Sequence, residues 1–156
     1  AMNTLLKSML CMCMMFISGV TTAVYARENV LAVFGDPISK SRGVTSVEIE
    51  GSTLSAYDIS LLKCMTLEKE ATGHTAAIEK ALTADSPAAA ERDVRRSGGR
   101  IVYGFYAFGP TKDNRKFGYT YYVSSPEQAA LIYFESKLPP SEVREKVLSK
   151  LTSGNL

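Results

Sequence analysis

Three β-rich runs, separated by short polar turns, dominate the segment from Arg100 to Leu138 and hold most of the aromatic residues of the chain. The runs read RIVYGFYAF, KFGYTYYVSS and AALIYFES. Aromatic and β-branched residues favour the pleated, half-buried surface of a strand, and turns this short join antiparallel neighbours. The segment therefore predicts an antiparallel meander of three strands, around which the rest of the chain packs.

Alternation along the runs assigns their side chains to two faces of the predicted sheet. In the first run, Ile101, Tyr103, Phe105 and Ala107 are expected to share one face. Both faces are rich in apolar residues, so we expect helices on one face and partial cover on the other.

Six tyrosines of this meander are the candidate ligand or partner surface, because an aromatic ring with a hydroxyl suits binding at a sheet face. They are Tyr103, Tyr106, Tyr119, Tyr121, Tyr122 and Tyr133. The alternative interpretation is that their hydroxyls simply reach water at the rim of the sheet.

The first 26 residues have the pattern of a cleaved secretory signal. Lys7 precedes an apolar run of roughly a dozen residues, and Val24 and Ala26 form a small-residue end. We expect cleavage after Ala26 and a location in the periplasm or outside the cell. The run is too short for a comfortable membrane span, so no stable span is expected after cleavage. A buried N-terminal helix is the alternative.

The remaining residues, 27–156, are expected to form one domain with its own core. Ala1, which precedes Met2, is interpreted as a cloning remnant. Cys64 is the single cysteine after the predicted cleavage site, so an internal disulfide is excluded for the mature form. A net charge of +2 indicates no strongly basic surface, and we expect no nucleic-acid partner.

The flanking segments predict the rest of the fold. Residues 43–51 and 58–67 read as strands, the second more buried than the first. Residues 73–96 read as helical, with an interruption at Pro87 and an end at Gly98-Gly99. Ser141 begins a final helix, and residues 29–38 form a short helix or an extended entry segment. The predicted class is α+β, with an antiparallel sheet of about five strands in the order β-β-α-β-β-β-α, packed against two or three helices.

Chemistry-bearing residues are few. His74 is the single histidine, and with Cys64 it could in principle form a nucleophile–base pair. However, Cys64 lies in an apolar strand and His74 at the start of a helix, so an inert thiol and a surface histidine are expected. No CxxC motif or multi-histidine spacing predicts a metal site, no carboxylate pair predicts acid–base catalysis, and no cofactor is predicted.

The order of motifs in the chain resembles small secreted proteins of unknown function from gut Bacteroidales. After the signal come VEIEG at residues 47–51, a strand rich in Leu, Ser and Thr, a charged helix and Gly98-Gly99. The YGFY strand at residues 103–106, an Asn-Arg hairpin at 114–115 and a Leu-Ile-Tyr strand follow. The resemblance implies export and a compact α+β domain, and it implies no activity.

Two hypotheses for the function follow from these observations. The first is a non-enzymatic module that binds an unknown protein or a small ligand through its aromatic sheet face, with a homodimer left open. The alternative is a small hydrolase-like enzyme of the cell envelope, which requires a concave pocket where titratable groups converge.

Overall fold

A computed structural model describes residues 27–35, 37–110 and 115–149, apart from the side chains of residues 147 and 148. The strands of the described part are β1 (Val44–Glu50), β2 (Ile59–Glu68), β3 (Glu91–Ser97), β4 (Arg100–Phe108), β5 (Phe117–Ser124) and β6 (Gln128–Ser136). The helices are α1 (Glu28–Val33), α2 (Thr75–Asp85) and α3 (Pro140–Val143), and α3 continues as a π-helical turn over Arg144–Leu148. Short 3₁₀ helices lie at Ile38–Lys40, Ser52–Tyr57, Lys69–His74 and Ser86–Ala88.

The strands form one antiparallel sheet in the order β1-β2-β6-β5-β4-β3. β1 and β2 pair as a hairpin, and the chain then crosses the sheet through α2 to reach β3 at the opposite edge. From there β3, β4, β5 and β6 run back strand by strand, so that β6 pairs with β2. The predicted three-strand meander is confirmed as β4–β5–β6, and so is the α+β class.

The strand β3 corrects the sequence prediction, which made residues 73–96 helical and counted about five strands. The helix α2 ends at Asp85, the 3₁₀ turn Ser86–Ala88 redirects the chain, and Ala89 is already extended, with φ −68° and ψ 130°. Gly98 and Gly99 have φ +56° and +80°. Positive φ at both central residues is what a two-residue β-hairpin turn requires. The Gly-Gly pair therefore joins β3 to β4 instead of ending a helix, and the sheet has six strands.

One face of the sheet, called the helix face below, is covered by α1 and α2. Its core joins both helices to residues from β2, β4, β5 and β6, and includes Val30, Val33, Met65, Leu67, Ile78, Leu82, Ile101, Tyr106, Phe108, Tyr122 and Leu131. The opposite face, called the second face, has a smaller core made by Leu54, Ile59, Leu62, Phe105, Ala107, Tyr119, Phe134 and Val143. The second face thus receives cover only from the 3₁₀ helix Ser52–Tyr57 and from α3, as far as the described residues show.

A β-bulge changes the face to which one predicted residue belongs. Arg95 pairs with Tyr103 and the next residue, Arg96, pairs with Ile101, so one extra residue of β4 lies between the two pairs. Because side chains alternate along a strand, this extra residue moves Ile101 to the helix face. The prediction that Ile101 shares a face with Tyr103 and Phe105 is therefore wrong, although the rest of that strand alternates as expected.

The helix α1 is fastened to α2 by a buried carboxylate. Asp85, the last residue of α2, is 1% exposed. Its Oδ2 accepts a hydrogen bond of 2.9 Å from the backbone N–H of Val30, and its Oδ1 accepts one of 2.7 Å from Nδ2 of Asn29. Asp85 thereby satisfies one of the N–H groups that lack a partner at a helix N-terminus, since no side chain caps α1 at Arg27.

The other sequence predictions have mixed outcomes. The strands predicted at 43–51 and 58–67 are confirmed as β1 and β2, and the leading segment forms the helix α1. The predicted final helix is present from Pro140, and the residues after 149 lie outside the described part of the chain, as does the predicted signal at 1–26. Within the part of the chain that the structure describes, no helix is both long and apolar enough to cross a membrane.

Candidate interaction surface

The structure divides the six candidate tyrosines between the two faces of the sheet. Tyr106 and Tyr122 belong to the core of the helix face, and Tyr133 contacts Arg27 on the same side. Tyr103 and Tyr121 lie on the second face, where their rings meet edge to face at a centroid distance of 5.6 Å. Tyr119 also lies on the second face, inside its core.

Four of the six tyrosines are buried, so they do not present an open aromatic surface. They are Tyr106, Tyr119, Tyr122 and Tyr133, each at most 2% exposed. Burial raises the pKa of all four hydroxyls, that of Tyr133 to about 12. Of the six, only Tyr103 and Tyr121 keep partial exposure, and a partner that reaches these candidate tyrosines would therefore contact those two.

Tyr119 shows how these buried tyrosines serve the core. Its ring stacks on Phe134 at 5.0 Å and on Phe105 at 6.1 Å between centroids. Its hydroxyl donates a hydrogen bond of 2.5 Å to the backbone carbonyl of Leu138, which leads into α3. The side chain therefore joins three strands to the segment that covers one end of the second face.

The second face is covered at one end and open at the other. In the covered half, Leu54 and Val143 pack over Leu62, Tyr119 and Phe134. Two residues further along each strand, the register brings Val47, Cys64, Ile132 and Tyr121 into a row that crosses four strands. The following row contains Thr45, Thr66, Ala130, Val123 and Tyr103. These two rows are called the open half below.

The first row of the open half is apolar, and the second row is more polar. Val47 is 47% exposed, the only large hydrophobic side chain among the described residues that is classed as exposed. Cys64, Ile132 and Tyr121 beside it are half-buried, whereas the threonines of the second row are exposed. Such a surface can make apolar contacts and accept or donate hydrogen bonds through tyrosine hydroxyls.

A cation borders the aromatic pair. The guanidinium of Arg95 lies 5.0 Å from the ring centroid of Tyr103, within the range of a cation–π interaction. Arg95 also lies 3.8 Å from the carboxylate of Asp93 on the same edge strand. Burial, and then the neighbouring Tyr103, raise the pKa of the Tyr121 hydroxyl, so that hydroxyl remains a hydrogen-bond donor at neutral pH.

A depression of about 480 Å³ continues the open half towards the ends of β2, β5 and β6. Thr66, Val123 and Ala130 of the second row line it, together with polar residues that include Ser125 and Glu127. Glu127 is held by Lys69 at 3.0 Å. Of the ten residues that line the depression, the titratable ones are Glu68 and Glu127.

A family model described as "Family of unknown function (DUF6108)" matches residues 20–147, which is most of the chain. The chain belongs to this family. A comparison with solved structures pairs it with the crystal structure of the extracellular domain of PknH from Mycobacterium tuberculosis. That pairing has 5% sequence identity and a TM-score of 0.27 and covers 81% of this chain and 96% of the other, and so low a score supports no conclusion. None of the curated proteins matches the chain.

The other candidate pair of this DUF6108 protein, Cys64 and His74, is not assembled. Cys64 alternates with the buried Met65 along β2, so its side chain lies on the second face. His74 ends the 3₁₀ helix that leads into α2, which packs on the helix face. Burial raises the pKa of the Cys64 thiol, which disfavours the reactive thiolate. Among the described residues, no group of three or more His, Cys, Asp or Glu could hold a metal ion.

Sequence reasoning did not include Val47 and Ile132 in the candidate surface. Thr45, Val47 and Ile49 occupy alternate positions of β1 and so share one face, which is the second face of the DUF6108 sheet. The missing information was the strand order, because only the pairing of β2 with β6 brings Val47 and Ile132 to either side of Cys64.

Proposed function

We propose that the protein is an exported, non-enzymatic binding module whose open half contacts a partner protein. The observation that carries this proposal is the partial cover of the second face, which leaves Val47 47% exposed beside half-buried Ile132 and Tyr121. Contiguous apolar surface with a polar margin is a feature of protein interaction sites. The secretory pattern of residues 1–26 and the resemblance to secreted Bacteroidales proteins support export.

The chemistry of the surface favours a protein over a small ligand. Small-molecule sites are concave and enclose most of the ligand, whereas the two rows of the open half follow the surface of a sheet. Tyrosine and arginine are enriched where protein partners bind most strongly, and here Tyr103, Tyr121 and Arg95 are adjacent. We infer a partner that presents apolar side chains to Val47 and Ile132 and an acidic group near Arg95.

The proposal is tested by photo-cross-linking in the native host. A benzophenone amino acid at position 121 is expected to capture a discrete partner, whereas the same amino acid at Thr83, which is exposed on α2 on the opposite side of the sheet, is expected not to. Threonine is the substitution of choice at the surface positions, because it is β-branched and keeps strand propensity.

A Tyr103→Thr change is expected to weaken capture from position 121, while Tyr103→Phe, which keeps the ring, is expected to retain most of it. Equal capture from both positions, or capture that is indifferent to Tyr103→Thr, would show that the open half is not the binding surface.

A further inference from the structure

The two edges of the sheet differ in how they are protected against pairing with another strand. The edge strand β3 carries five charged residues among its seven and contains the irregular register at Arg95 and Arg96. Charges and bulges of this kind prevent an edge from accepting a further strand. The other edge strand, β1, pairs with β2 in a continuous register over all seven residues and contains no lysine, arginine or proline.

The outer side of β1 has backbone groups available for pairing. The backbone N–H of Glu68 donates to the carbonyl of Gly43, and that of Gly51 donates to Ser60, which fixes the odd-numbered residues of β1 as those that bond inward to β2. Since the direction alternates along an antiparallel strand, Ser46, Glu48 and Glu50 direct their N–H and C=O groups outward. Among the described residues, no backbone hydrogen bond of the loops and turns engages the outer side at these three positions.

The sequence of β1 is complementary to itself in one antiparallel register. If Val47 faces Val47 of a second copy, Ser46 faces Glu48 and Thr45 faces Ile49, so no two like charges are directly opposite. The outward-directed residues then form the hydrogen-bonded pairs, as antiparallel geometry requires. A register shifted to place Glu48 opposite Glu48 would oppose two carboxylates. Glu48 is also neutralised within its own chain by Lys63, at 2.6 Å.

We propose that β1 binds β1 of a second copy of this chain about a two-fold axis at Val47, which joins two six-stranded sheets into one continuous sheet. This pairing places the side chain of Val47 beside its own symmetry mate and leaves the face of the sheet accessible. It also places the open halves of the two copies side by side on the same face of the combined sheet. The proposal concerns the edge of the sheet and does not depend on whether a partner protein binds the face.

A register-specific disulfide tests the pairing. In the full chain with Cys11, Cys13 and Cys64 replaced by serine, Val47→Cys places two thiols in a non-hydrogen-bonded pair with Cα atoms about 4.5 Å apart, within reach of a disulfide. Thr45→Cys in the same background is the matched control, because Thr45 faces Ile49 in this register and lies far from its own symmetry mate. Mild oxidation is expected to give a covalent dimer for Val47→Cys and only a small fraction for Thr45→Cys.

Solution mass gives an independent measurement. By light scattering, the unmodified protein is expected to be a dimer, Val47→Lys a monomer because two ammonium groups would meet at the axis, and Thr83→Lys on α2 a dimer. Circular dichroism of Val47→Lys checks that the sheet is retained. A wild-type monomer at high micromolar concentration, a dimer that persists in folded Val47→Lys, or equal cross-linking at positions 45 and 47 would overturn the proposal.

Discussion

Replacement of Asp85 by alanine is expected to destabilise the protein by about 2 kcal/mol, because this carboxylate is the polar link between α1 and α2. A hydrogen bond to a charged group contributes about 1.5–3 kcal/mol, and an unpaired buried N–H costs about 1–3 kcal/mol. Asp85→Ala removes the bonds to Val30 and Asn29 and leaves the buried N–H of Val30 without its partner. The cost of burying the charged carboxylate offsets part of the stability that these hydrogen bonds contribute. We therefore take the lower part of the range.

Asp85→Ala is expected to loosen the six-residue helix α1 as well as to lower the free energy of unfolding. A helix of this length is not stable by itself in water, so its position depends on Asp85 and on the burial of Val30 and Val33. Asn29→Ala is the matched control, since it removes only the 2.7 Å bond and leaves the Val30 N–H paired. We expect it to cost about 1 kcal/mol. Urea unfolding followed by circular dichroism measures both values, and hydrogen exchange reports the loosening of α1.

The pH dependence of this link has a definite sign. Burial raises the pKa of Asp85 above its ordinary value of 3.8, although the hydrogen bonds from Asn29 and Val30 lower it in part. The folded state therefore holds the proton more tightly than the unfolded state. The associated stability is fully present below pH 3.8 and is lost as the pH rises through the folded-state pKa. Relative to Asp85→Asn, which cannot titrate, the wild type should lose stability across that window.

Two results would refute this reasoning. One is an Asp85→Ala variant within about 0.5 kcal/mol of the wild type, the range of an ordinary surface substitution. The other is a wild type that gains stability over Asp85→Asn as the pH rises, because that would mean that the hydrogen bonds outweigh the cost of burying the charge.

Three further outcomes are expected. Because burial raises the pKa of Tyr133 to about 12 and also raises that of Tyr119, stability should fall above pH 10. The tyrosinate absorbance of the buried rings should then appear together with loss of near-ultraviolet dichroism, whereas ionisation of every tyrosine in a protein that stays folded would contradict the burial. Gly99→Ala should cost about 1–2 kcal/mol at φ +80°, with Thr83→Ala near zero as its control in urea unfolding. The proposed export predicts a mature protein that begins at Arg27 by N-terminal sequencing, and an intact leader would refute cleavage after Ala26.

The meander was predictable because its signals are local. Alternation, aromatic residues and short polar turns lie within each run, and the same signals identified β1 and β2. The strand β3 was missed because Gly98 and Gly99 are ambiguous: positive φ serves both a helix end and a tight hairpin. The alanines before Glu91 and the charges of the strand also favour a helix, and only pairing with β4 gives residues 91–97 their extended form.

The candidate surface was less predictable than the fold, because burial of a tyrosine depends on what packs over its face. Nothing in the sequence near Tyr106 or Tyr122 shows that α2 covers them, and nothing near Tyr103 or Tyr121 shows that α3 does not. The position of Ile101 depends likewise on a bulge formed with β3, a strand that the sequence did not predict. The tertiary arrangement, and not the local sequence pattern, determines that Tyr103 and Tyr121 are the two of the six tyrosines that stay partly exposed.

The crossing of the chain from β2 to β3 also determines when the sheet can be completed. The inner side of β2 receives its partner only from the last strand, as when Oγ of Ser136 donates to the carbonyl of Asp58, 78 residues earlier. Contacts so distant in sequence make folding slow, because a long loop must close before they form. During synthesis, the β1–β2 hairpin therefore lacks its neighbouring strand until β6 has been made. Under the export proposed above, such late closure would keep the polypeptide unfolded during its passage through a secretion channel.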